Sequence, residues 1–234
     1  MTTFEKHMNY GDTRAYIRIP EEPTGLVFIA PGAQVDVNAP LITQIQKAAE
    51  DKGQATVIAA LGGAKLNDTD PNNVHGNFVN GLQEVINGYM ADNAYTPDEF
   101  EMIGHSMGAT AVLAIAAEHP TSRITAIDPA PIDNDALADI HCPTDIIISN
   151  VRQYRAVGKR IHGEMQNNGQ NPTINQIETS PDKPEGHLFS GQESQVAAII
   201  RDQEPEQPDI ELGRSTDSEL FNAIETEDHD APEA

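Results

Sequence analysis

The stretch 99–119, EFEMIGHSMGATAVLAIAAEH, limits the fold more than any other part of the chain. An extended run over 99–103 enters Gly104-His105-Ser106-Met107-Gly108, and a small, apolar helical run follows over 109–117. A serine set between two glycines at a strand-to-helix corner reads as a nucleophile elbow. The corner forces strained backbone angles on Ser106, and side chains at Gly104 or Gly108 would collide with the neighbouring strand or helix. Ser106 is thereby lifted into the open, with the N-terminal N–H groups of the next helix behind it to meet negative charge. A serine that only caps a helix needs no such glycines.

Strand and helix alternate on both sides of this corner. The periodicity predicts strands over 4–9 and 14–19, paired across Tyr10-Gly11-Asp12, and a buried strand over 26–30 (LVFIA). A helix over 39–52, a buried strand over 55–61 and a helix over 73–91 precede the corner. After it come a strand over 123–127, a short helix over 133–140 and a strand over 145–149. A helix over 153–168 follows, with Tyr154, Val157, Ile161 and Met165 as its apolar seam, then a strand over 173–178 and a helix over 188–201. This order implies an α/β domain over 1–201, a mostly parallel sheet with right-handed crossovers and helices on both faces. GHSMG and the order of elements resemble the α/β-hydrolase family, of the esterase and lipase type, with features similar to polyester hydrolases and chlorophyllases. The connection after 128 is too short for a cap domain.

A serine nucleophile needs a base, and His187 in Glu185-Gly186-His187-Leu188-Phe189 follows the last strand. Loops at the carboxyl ends of parallel strands converge on one face, so His187 can reach Ser106. By order and by its preceding glycine it also resembles the family's catalytic histidine. His7 and His229 read as exposed, His119 and His162 as helical, and His105 lies inside the elbow. His75 starts a helix and is an alternative lining residue.

The acid is less clear-cut. The commonest family pattern has an aspartate soon after the strand DIIIS, but this chain continues Asn150-Val151-Arg152-Gln153-Tyr154. Asp145 begins that strand, at the wrong end of the sheet. Asp128 ends the preceding strand on the face of Ser106; pancreatic-type lipases carry the acid there, and Ile127-Asp128-Pro129 resembles the chlorophyllases. Asn150, Asp133, or a mere turn role for Asp128 before Pro129 are the alternatives. For the oxyanion, Met107 supplies one backbone N–H. Pro31-Gly32-Ala33 resembles the Pro-Gly-aromatic stretch of polyester hydrolases, which puts the second donor at Ala33, although Ala33 is not aromatic.

The resemblance thus implies a serine hydrolase acting on a carboxylic ester or thioester through Ser106, His187 and Asp128, with no cofactor. Two other readings keep the fold: a non-catalytic binding or structural protein, such as a virion component, and an acyltransferase with the same triad. No HExxH, phosphate loop or cysteine cluster suggests a metal or nucleotide, and Asn67-Asp68-Thr69-Asp70 lacks the full ligand set of a calcium loop.

Charge narrows the partners. The net charge is -23, of which residues 202–234 hold 12 acids and one base, or -11, leaving -12 on the body. Nucleic acid is excluded as a partner by that balance, and an acidic body suits a halophilic protein in a salt-rich cytoplasm. Cys142 is the sole cysteine, in keeping with a cytoplasmic location, and no leader or membrane-spanning run is evident. The tail 202–234 reads as largely disordered, a candidate for recruiting a protein partner, with one amphipathic island over 215–225.

Overall fold

Leu26–Ala30 is buried at all five positions, and its side chains divide by parity between two cores. Leu26, Phe28 and Ala30 face one core and Val27 and Ile29 the other, because a strand alternates its side chains and helices cover both faces. The computed structural model describes residues 3–61, 71–93, 100–180 and 184–202, with only the backbone of 71–75, 184 and 185. The 67–70 loop, the tail island and His229 lie outside the described residues, as does the side chain of His75.

In chain order the elements are β1 (Thr3–Tyr10), β2 (Thr13–Pro20), β3 (Leu26–Ala30), α1 (Pro40–Asp51), β4 (Ala55–Ala60) and α2 (Pro71–Asn93). Then follow β5 (Phe100–His105), α3 (Met107–Glu118), β6 (Arg123–Ile127), α4 (Asn134–Ala138) and β7 (Thr144–Ser149). The last are α5 (Arg152–Asn167), β8 (Thr173–Ile177), α6 (Pro184–His187) and α7 (Glu193–Asp202). The strands make one sheet in the order β1-β2-β4-β3-β5-β6-β7-β8. Only β2 runs against its neighbours; every other pair described is parallel. On one face α1 and α7 bury Leu41, Ile42, Ile45, Val196 and Ile200. On the other, α2 to α5 bury residues that include Leu82, Val112, Leu137 and Ile161. No helix among the described residues is long and apolar enough to cross a membrane.

The register matters most at the carboxyl ends. Ala30 lies beside Gly104, His105 beside Ile127, and Ile127 beside Ile147. The residues that leave β3, β5, β6 and β7 therefore emerge side by side. Segment 128–143, between β6 and β7, holds only the five-residue α4, so no cap domain rises there.

Three expectations need correction. The helix after the corner begins at Met107, not Ala109, so Ser106 is the only residue between strand and helix. His187 closes the short helix α6 instead of lying in an open loop. The final helix starts at Glu193, not Leu188, because Phe189 (φ 54°) and Gly191 (φ 80°) are left-handed and cannot continue a right-handed helix. That reversal puts Leu188 outside and Phe189 in the core.

Candidate active site

Ser106 has φ 56° and ψ -120°, a conformation that non-glycine residues seldom occupy. Sterics at the two glycines show what holds it there. A Cβ on Gly104 would lie 2.3 Å from the Gly108 carbonyl oxygen, and one on Gly108 would lie 2.0 Å from that of Ala30. Neither neighbour is a side-chain tip that could swing aside, so only glycine permits the helix to start this close to β3 and β5. The Ser106 N–H donates to the Ile127 carbonyl at 2.9 Å, which ties the corner to β6.

Asp128 leaves β6 one residue beyond that carbonyl, also left-handed at φ 44°, and is fully buried. A buried carboxylate must be matched by donors. The Ser149 N–H donates to Oδ1 at 2.7 Å and the Ser149 hydroxyl to Oδ2 at 2.6 Å. His187 Nδ1 lies 3.1 Å from the same Oδ2. Since a carboxylate only accepts, the Nδ1–H of His187 donates to it. The carboxylate thus reaches across to β7 and α6 instead of capping the turn before Pro129.

The alternatives lie elsewhere. Asn150 donates to Glu178 at 2.9 Å and accepts from the Thr179 N–H and hydroxyl at 3.1 and 2.8 Å. Asp133 precedes α4 on the exposed surface. Asp145 pairs with Arg123 at 2.8 Å, at the other end of the sheet. His119 bonds Gln83 and His7 bonds Arg14.

The loop after β3 closes over the corner. A Cβ on Gly32 would lie 2.9 Å from Ser106 Cβ and 3.0 Å from His105 Nδ1, so the loop backbone lies directly on both residues. The Val35 N–H returns to the Gly32 carbonyl at 3.2 Å, with Gln34 left-handed at φ 61°. Ala33, in this turn, is partly buried, and Met107 is the first residue of α3.

No protein-family model matches the sequence, and no curated protein matches it. Solved structures do resemble the chain. Dienelactone hydrolase from Anabaena variabilis superposes with a TM-score of 0.66 at 18% identity, over 85% of this chain and 96% of that one. The fold is that of the α/β-hydrolases. An α-beta serine hydrolase homologue from Coxiella burnetii gives a TM-score of 0.65 at 15% identity, over 86% and 97% of the two chains. An α/β serine hydrolase without lid from Xanthomonas campestris gives 0.62 at 15% identity, over 85% and 92%.

Within this α/β-hydrolase fold, three side chains stand at the site that sequence reasoning missed. Ser149 supplies two donors to Asp128; its signal was a hydroxyl that follows three isoleucines at the carboxyl end of β7. His105 is fully buried, and its Nε2–H donates to the His187 carbonyl at 2.9 Å. Desolvation, with His187 close by, lowers the His105 pKa to about 3, so its ring stays neutral. Tyr154, expected in the apolar seam of α5, is only half-buried and stacks on His187 with centroids 3.7 Å apart. Nothing in a single helix pattern marks that contact.

Proposed function

We propose that the protein is a serine hydrolase that cleaves a carboxylic ester or thioester through an acyl-enzyme intermediate. Ser106 Oγ attacks the carbonyl carbon while His187 Nε2 takes its proton, and Asp128 holds the imidazolium that forms. The Ala33 and Met107 backbone N–H groups stabilise the oxyanion. The imidazolium then protonates the departing alcohol or thiol, and water, activated by the same histidine, releases the acid. The observation that carries this reading is the 3.1 Å contact of buried Asp128 with His187, on an element bonded to the residue next to Ser106. A buried carboxylate against His187 weighs against the non-catalytic reading, whose main support was the lack of an acid after β7. Likeness to a serine hydrolase without lid also supports the reading, since the short connection after β6 carries no cap domain.

The test is fluorophosphonate labelling together with hydrolysis of a short p-nitrophenyl ester. Wild type should label and turn over. Ser106→Ala should do neither, and His187→Ala should lose several orders of magnitude while staying folded, because triad members act as a unit. Substantial activity left in either variant rules out the mechanism.

A further inference from the structure

His187 has to do more than meet a carboxylate. Among the described residues its ring makes one hydrogen bond, from Nδ1, which leaves the imidazole able to tilt, and any tilt moves Nε2, the atom that must exchange protons with Ser106. Tyr154, in the first turn of α5, lies against this ring at an interplanar angle of 6° with centroids 3.7 Å apart. His105 lies against it too, at 4.6 Å and 33°. The start of α5 is itself held against α6, since a Cβ on Gly186 would lie 3.0 Å from Val151 Cγ2 and 2.2 Å from the Ser180 carbonyl oxygen. Val151, which caps α5, and Tyr154 in its first turn thus lie against the successive residues Gly186 and His187.

We propose that Tyr154 is a positioning residue for His187, fixing the plane of its imidazole and stabilising the imidazolium through the face of the phenol ring. The inference rests on the roles given above to Ser106, His187 and Asp128. The physical basis is twofold. Coplanar contact removes the tilt that a lone hydrogen bond permits, which keeps the base in a reactive geometry. An aromatic face carries negative potential, so it favours the charged ring over the neutral one. Among the described residues, the titratable groups against His187 are Asp128 from the end of β6, His105 from β5 and Tyr154 from α5. His105 remains uncharged and adds no repulsion, and Asp128 is common to all variants below.

The experiment compares wild type with Tyr154→Phe and Tyr154→Leu, each first checked for folding by its melting curve. Tyr154→Met serves where leucine is not accepted. Two readouts are taken: the NMR titration of the His187 ring, assigned with His187→Ala, and kcat and KM for a p-nitrophenyl ester. In Tyr154→Leu the His187 pKa should fall by roughly half a unit to one unit. Its kcat should drop about tenfold with KM little changed, the mark of an interaction made in the transition state. Tyr154→Phe, which keeps the ring face, should match wild type in both. A titration unmoved in Tyr154→Leu overturns the proposal, and so does a kcat within twofold of wild type. Equal losses in the phenylalanine and leucine variants overturn it as well, since they would assign the effect to the hydroxyl. If wild type itself fails to react at Ser106, the hydrolase reading falls separately. The titration, which uses no substrate, then decides alone whether the phenol face stabilises the imidazolium.

Discussion

At the scale of single residues the site depends on two buried ionisable groups treated in opposite ways. Asp128 sits without exposure yet has three donors, two from Ser149 and one from His187. Asp128→Asn should keep the shape, favour the wrong histidine tautomer and remove the counter-charge. Turnover should then fall by roughly 10³ to 10⁴, measured at equal folded fraction, whereas Asn150→Ala should cost far less because Asn150 is engaged with Glu178 and Thr179. The reverse ranking would move the acid's role to Asn150. His105 is handled by exclusion of charge. Its pKa is about 3 in the folded state against about 6.5 when unfolded. Between those values the unfolded chain binds the extra proton, so stability falls as pH drops from 6.5 towards 3. The expected slope approaches about 1.4 kcal/mol per pH unit inside that window. Urea unfolding at pH 7.5 and pH 5 should show a larger loss in wild type than in His105→Phe, which has no ring nitrogen to titrate. Equal losses would mean that other groups set the acid sensitivity.

At the scale of elements, the corner between β5 and α3 is a problem of space. The helix approaches β3 so closely that Gly108 has a backbone carbonyl where its Cβ would be. Gly108→Ala should therefore destabilise by about 3 kcal/mol or more, since no rotamer change relieves a clash with main chain. Gly163 is the contrast. It lies inside α5 with open space around the position of a Cβ. Gly163→Ala should stabilise the protein by about 0.5–1 kcal/mol through helix propensity alone. Denaturant midpoints of the two variants check both values, and a tolerated Gly108→Ala would mean that the corner can open without cost. The same scale accounts for the misplaced last helix. Apolar spacing around Leu188 and Phe189 suits a helix, but the chain must reverse there to bury Phe189, and two left-handed residues end the pattern.

At the scale of the whole molecule, charge sets the conditions for stability. A net charge of -23 divides almost evenly between the body and the acidic tail. Self-repulsion among the body's surface carboxylates weakens as salt shortens the screening length from about 10 Å at 0.1 M to about 3 Å at 1 M. The melting temperature should therefore rise steeply between low and molar KCl, and a chain truncated after Arg201 should keep most of that rise. A melting temperature indifferent to salt would remove the case for a halophilic protein.

What the sequence alone could determine is local. The order of strands and helices, the parallel core strands and the glycine-framed corner are each written in neighbouring residues, because periodicity and Cβ clashes act over a few positions. Ser106 and His187 became candidates the same way, from what surrounds each of them in the chain. The carboxylate that meets His187 was different. Asp128 meets His187, and Asn150 does not, because of how β6 and β7 are registered and where α6 comes to rest, a relation among segments 21 to 59 positions apart. Ser149, His105 and Tyr154 stayed unread for the same reason. A hydroxyl, an imidazole and a phenol look like ordinary strand and helix residues until packing brings them against one another, and only tertiary structure decides that.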